Sequence, residues 1–98
     1  MDFETPSQES YTIYSKSGCP NCTKVKKLLQ KETPAPVLID CDEYLIEDKL
    51  GFLRFIEEIA KKEWKTFPMV FYQGAFLGGY EDTLKEYECK KAFEVADF

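Results

Sequence analysis

Tyr14-Ser15-Lys16-Ser17-Gly18-Cys19-Pro20-Asn21-Cys22 decides the reading of this chain, because two cysteines three apart fall where a strand gives way to a helix. Ser10 to Ser15 is short and rich in β-formers, which predicts a strand. Lys16-Ser17-Gly18 reads as a turn, and Pro20 suits the first helical position, where its missing N–H costs nothing. Cys22, Val25, Leu28 and Leu29 then recur at helical spacing. Cys19 is thus expected at the N-cap, where unpaired backbone N–H groups and the helix dipole favour an anion. Lys16 adds positive charge, so the thiolate, the reactive form, is favoured. Cys22 lies one turn on, within disulfide reach and less exposed. The pair offers one attacking and one resolving sulfur.

Outward from this stretch, Thr33-Pro34-Ala35-Pro36 ends the helix, and Val37-Leu38-Ile39 reads as a short buried strand. Asp42 to Ile46 is expected to be an irregular connection. From about Glu47 to Lys62 the pattern is helical, with Leu50, Leu53, Ile56, Ile59 and Ala60 facing inward and Gly51 weakening the helix. Met69–Tyr72 and Ala75–Leu77 form a hairpin around Gln73-Gly74. Asp82 is expected to cap a last helix through Leu84 and Tyr87, with Lys90 to Val95 extending it or adding another. The order β-α-β-α-β-β-α implies a parallel pair followed by an antiparallel hairpin. Residues 1–9 show no periodic pattern and are expected to be a flexible leader before a single domain over 10–98.

The 98 residues carry 13 basic and 18 acidic side chains, a net charge of −5, which argues against a nucleic-acid partner. The distribution is uneven: Lys16 to Lys31 holds five lysines and no acid. No apolar run is long enough to span a membrane. Met1 to Ser10 lacks the basic and apolar regions of a secretory signal, so a reducing, cytoplasmic compartment is expected. There are four cysteines and no histidine. A lone Cys-x-x-Cys can be half of a zinc site, but Cys41 and Cys89 are single and no histidine is available to complete it. Each of those two reads as a small buried hydrophobe or an incidental thiol. A preformed thiolate also needs no general base, so the missing histidine does not oppose redox chemistry.

Two further motifs admit ordinary readings when taken alone. Lys65-Thr66-Phe67-Pro68 places a proline before an apolar strand, which suits a simple strand entry. Beside a redox cysteine pair, a cis Pro68 becomes the better expectation, with the Phe67 backbone open to pair with a peptide. Gly78-Gly79-Tyr80-Glu81-Asp82 is an ordinary strand-to-helix turn, or a loop whose N–H groups bind a carboxylate.

The three motifs in this order resemble the glutaredoxin family, a branch of the thioredoxin fold, and the likeness runs from about Tyr11 to Tyr87. The resemblance implies an α/β fold, a thioredoxin-like three-layer α/β/α sandwich on a four-stranded mixed sheet. It implies a glutathione-dependent thiol–disulfide oxidoreductase, with glutathione as co-substrate and no metal. Cys19 would be the nucleophile and Cys22 the resolving thiol. Lys16 would hold the glycine carboxylate of glutathione, and Thr66 and Phe67 would flank the family's cis-proline, Pro68. Tyr80 and Glu81 would meet the γ-glutamyl carboxylate, with Asp82 nearby. Asn21 stands where the family often has an aromatic residue, Phe67 where valine is usual, and Trp64 where glutamine or arginine is common. The expected partners are glutathione and glutathionylated or disulfide-containing proteins, met by a monomer. The alternative the family offers is an iron–sulfur scaffold in which two chains share a cluster through Cys19 and two glutathiones, a role that Pro20 tends to disfavour.

Overall fold

Strand β1 (Tyr11–Ser15) is buried along its whole length, because both its edges are paired and both its faces are covered. The computed structural model describes residues 2–96, with side chains described through Lys90. Helix α1 (Pro20–Leu29), β2 (Val37–Asp40), α2 (Asp42–Ala60), β3 (Met69–Tyr72), β4 (Ala75–Gly78) and α3 (Tyr80–Ala96) follow. The sheet order is β2-β1-β3-β4, with β1 parallel to β2 and the other pairs antiparallel. This is the expected three-layer thioredoxin-like architecture. Asp97 and Phe98, at the end of the expected domain, lie outside the described residues.

The two-residue period of the strands sorts the core into two halves. Tyr11, Ile13 and Val70 pack with Val25 and Leu29 of α1, with Tyr80 and Tyr87 of α3 against them. Tyr14, Ile39, Met69 and Phe71 point the other way and pack with Phe52 and Ile56 of α2. Phe52 is fully buried, and its ring meets those of Phe3, Tyr14, Tyr44 and Phe67. Truncating such a ring to alanine costs about 3–5 kcal/mol.

Helix α2 departs from expectation in two ways. Asp42 to Ile46 is helical rather than irregular, and the helix kinks at Asp48 (φ −155, ψ 67). The Asp48 carboxylate accepts the Gly51 N–H at 3.0 Å, which caps a fresh helical segment. Gly51 is what permits this, since a Cβ there would sit 2.6 Å from Asp48 Cγ. Of the expected inward face, Leu53, Ile56, Ile59 and Ala60 pack on the core and Leu50 does not. Leu50 is 71% exposed, while Phe52 takes the core position, because the aromatic ring has more area to bury.

Residues 2–9, expected to be a leader, form neither helix nor strand but make defined contacts. Phe3 sits edge-on to Tyr44 at 5.0 Å between ring centroids. The Tyr14 hydroxyl donates to the Glu4 carbonyl, and the Ser7 N–H donates to the buried Thr12 hydroxyl at 2.9 Å. A buried polar pair of this kind needs such partners, since an unmet hydrogen bond in the interior is costly.

Candidate active site

Cys19 is the N-cap of α1, in extended conformation (φ −112, ψ 101), and Pro20 opens the helix. The Cys22 N–H donates to Cys19 Sγ at 3.1 Å. No acidic residue stands in the first turn to oppose a thiolate there. Cys22 is 1% exposed while Cys19 is half-buried, so only Cys19 is open to an incoming disulfide. The two are joined as a disulfide with Cα atoms 5.2 Å apart.

The loop that delivers Cys19 is tied to the start of α2. The Cys41 N–H donates to the Ser15 carbonyl at 2.8 Å. The Asp42 carboxylate accepts the Ser17 N–H at 2.8 Å and also the Ser17 hydroxyl. The Ser17 hydroxyl first, then its N–H, with the Lys16 charge adding, hold the Asp42 carboxyl below its ordinary range. The sequence reading did not single out Asp42. Its signal was an acid at the first position of a helix, which the expectation of an irregular segment hid. Cys41, beside it, is fully buried, and burial above all pushes its thiol up to about 12. It therefore stays protonated and is no rival nucleophile.

The second motif meets the first. The Phe67–Pro68 peptide is cis, as expected beside the cysteine pair, and Thr33–Pro34 is cis as well. Lys16 Nζ stands 5.8 Å from the Phe67 ring centroid. Lys16, Thr66 and Phe67 line one cavity of about 300 Å³ together with Lys49, Lys65 and Leu53. Lys49 was not foreseen, because its placement depends on the kink of α2. Trp64 packs edge-on against Phe76 at 5.2 Å, and its buried indole N–H has no acceptor among the described residues.

The third motif joins through glycine. Gly78 has φ +129, and a Cβ there would come 2.8 Å from that of Asp82. A Cβ on Gly79 would sit 3.7 Å from the Pro68 carbonyl, so this loop and the cis-proline loop are neighbours. Asp82 was expected as the N-cap; instead α3 starts at Tyr80, and Asp82 reaches back from the first turn to accept the Gly79 N–H at 3.2 Å. An acid two or three residues inside a helix commonly satisfies the capping N–H in this way. The buried Thr83 hydroxyl donates to the Gly79 carbonyl at 2.8 Å, a second tie that the sequence reading missed. Glu81 and Asp82 are exposed, while Tyr80 turns toward α1 with Lys24 Nζ 5.8 Å from its ring centroid.

A reactive cysteine at a helix N-terminus, a buried partner one turn on and a cis-proline loop alongside define a thioredoxin-fold protein of the dithiol–disulfide class. The glutaredoxin family model matches residues 11–77, and the chain belongs to that family. It is 35% identical over 85 residues to Glutaredoxin-C4 of Arabidopsis thaliana, an alignment covering 87% of this chain and 60% of that protein. Glutaredoxin-C6 of Oryza sativa subsp. japonica is 34% identical over 84 residues, 83% of this chain and 69% of that one. The chain therefore spans 60% and 69% of the lengths of these two curated relatives. Among solved structures, wheat glutaredoxin superimposes with a TM-score of 0.67 at 29% identity, covering 85% of this chain and 76% of its own. A buckwheat glutaredoxin–glutathione complex shares the fold with a TM-score of 0.70 at 22% identity, over 87% of this chain and 74% of that one.

Proposed function

We propose that this chain is a glutathione-dependent thiol–disulfide oxidoreductase that acts through Cys19. The observation that carries the reading is the asymmetry of the pair: an accessible N-cap sulfur receiving a backbone N–H, beside a buried one. The Cys19 thiolate attacks the glutathione sulfur of a mixed disulfide. A Cys19–glutathione disulfide forms, and the other thiol leaves as its thiolate. A second glutathione thiolate then attacks the glutathione sulfur, giving oxidised glutathione and restoring Cys19. Alternatively the Cys22 thiolate attacks Cys19 Sγ, releases glutathione and closes the Cys19–Cys22 disulfide.

Lys16 at the cavity shared with Thr66 and Phe67 supports a role in holding the glycine carboxylate. The Phe67 backbone, next to Pro68, is the candidate partner for the cysteinyl unit. The N–H groups of Tyr80 and Glu81 open α3 and suit the γ-glutamyl carboxylate, with Asp82 fixing the loop from below. The test is turnover of a small glutathione mixed disulfide, coupled to glutathione reductase. Cys19→Ser is expected to abolish it and Cys22→Ser to leave much of it. Full activity in Cys19→Ser would overturn the assignment.

A further inference from the structure

Phe3 precedes every described helix and strand, yet its ring reaches the middle of α2. It stands edge-on to Tyr44 at 5.0 Å between centroids, and 5.6 Å and 5.4 Å from the rings of Phe52 and Phe55. Tyr44 lies before the non-helical Asp48, while Phe52 and Phe55 lie after it. A side chain from outside the helix therefore bridges its kink. An interrupted hydrogen-bond ladder fixes the angle between two segments less firmly than a continuous one, so side chains that span the break help to set it. Tyr44 and Phe52 also meet directly at 5.4 Å, and Phe3 closes them into a three-ring cluster. Phe3 is itself held by its neighbour. The Glu4 N–H donates to the Tyr44 hydroxyl at 3.2 Å, and the Tyr14 hydroxyl of β1 donates to the Glu4 carbonyl.

Each segment of α2 supports a different wall of the active site. The first carries Asp42, whose carboxylate accepts the N–H and the hydroxyl of Ser17, two residues before Cys19. The second carries Phe52, whose buried ring lies parallel to that of Phe67, at 7° with centroids 6.1 Å apart, just before the cis Pro68. Lys16 Nζ, on the Cys19 loop, stands 5.8 Å from the Phe67 ring centroid, so the two walls face each other. Their spacing follows the angle of the kink.

We infer that Phe3 is a positioning residue for the active site: by clamping the two segments of α2 it fixes the distance between the Cys19 loop and the cis-proline loop. The role rests on the oxidoreductase reading above for what those loops bind. It falls outside residues 11–77, the stretch that matches the family model.

The experiment compares the full chain with Phe3→Ala, Phe3→Tyr and Phe52→Leu by two readouts. The first is reduction of hydroxyethyl disulfide by glutathione, coupled to glutathione reductase. Phe3→Ala is expected to raise the KM for glutathione about threefold and to leave kcat in place, within the roughly two- to tenfold value of one aromatic pair. Lost stability alone does not produce this split. A chain made slightly less stable stays almost wholly folded, and unfolded molecules lower the maximal rate rather than raise KM. Phe3→Tyr keeps the ring and should restore the KM. Phe52→Leu should raise KM at least as much, and adding Phe3→Ala to it should change little further. The second readout is hydrogen exchange at the Ser17 N–H in the reduced chain, which needs no glutathione. Phe3→Ala should speed it about threefold, because the Asp42 carboxylate is no longer held against it. An unchanged KM in Phe3→Ala, a KM that Phe3→Tyr fails to restore, effects that simply multiply in the double variant, or unchanged Ser17 exchange would overturn the inference. The Phe3 variants decide it even if Phe52→Leu fails to fold. A wild type without glutathione turnover would instead sink the oxidoreductase reading, and Ser17 exchange would still decide whether Phe3 clamps the helix.

Discussion

Replacing Gly78 by alanine tests whether the loop before α3 is built as described. Two costs add. At φ +129 an alanine occupies backbone space that is nearly reserved for glycine, which costs about 1–3 kcal/mol. The new Cβ also meets the Asp82 side chain, 2.8 Å from its Cβ, and drives it off the Gly79 N–H. Losing that hydrogen bond costs about 1 kcal/mol more. The expected total of about 2–4 kcal/mol lowers the melting temperature by about 10–30 °C for a domain of this size. Two controls bracket it. Gly18→Ala meets nothing within 4 Å and bears only the left-handed backbone cost of about 1–2 kcal/mol at φ +69. Gly79→Ala places its Cβ in ordinary contact, 3.5 Å from Trp64, so its loss should be the smallest of the three, on the order of 0.5 kcal/mol. The assay is thermal and urea unfolding of all three variants, with the glutathione KM as the functional readout. A Gly79→Ala variant less stable than Gly78→Ala would refute the account of the loop.

Asp42 should make stability depend on acid pH. Its folded pKa lies below the ordinary 3.8, so its contribution is complete above that value and is lost as pH falls through the lower folded one. Urea unfolding at a series of acid pH values should show the gap between wild type and Asp42→Asn closing in that window; a gap that widens there would refute the Ser17 tie. With Cys19 and Cys22 oxidised, Ellman's reagent at pH 8 should find one thiol in the native chain, the exposed Cys89, and a second only after denaturation frees the buried Cys41. Two reactive thiols in the native state would contradict the burial of Cys41. Phe3→Ala should cost about 1–2 kcal/mol, since a half-buried aromatic contributes roughly half of a full burial. An unchanged urea midpoint would mean that residues 2–9 add nothing to the core.

The sequence carried the order of elements along the chain and the three motifs because each rests on local chemistry. A proline one position inside a helix, paired glycines before an acid and alternating apolar residues all act within a few residues of themselves. Apart from the cap of α3, the expectations that failed concern α2, where local signals competed with tertiary packing. Of the expected inward face Leu53, Ile56, Ile59 and Ala60 do pack on the core, and only Leu50 gives way, to Phe52. The pocket made by Tyr14, Phe67 and Tyr44 selects Phe52 over Leu50 by accepting its ring. Asp48 then ends one helical segment and caps the next, a step that reads from sequence only as an acid three residues before a glycine.

The same competition explains why the site was legible in part. Lys16 and Cys19 lie in the loop between β1 and α1, Cys22 on α1 and Pro68 in the loop before β3, whose positions follow from local pattern, and Lys16 Nζ stands 5.8 Å from the Phe67 ring centroid. Asp42 lies before the kink of α2 and Lys49 just after it, and they became visible only in three dimensions. What the core did not take, Leu50 and Ile46, is left facing solvent. Selecting Phe52 for the interior and leaving Leu50 in solvent are therefore one structural event. A substitution that let Leu50 replace Phe52 in the core would remove the ring stacked on Phe67, and with it the packing behind the cis-proline loop.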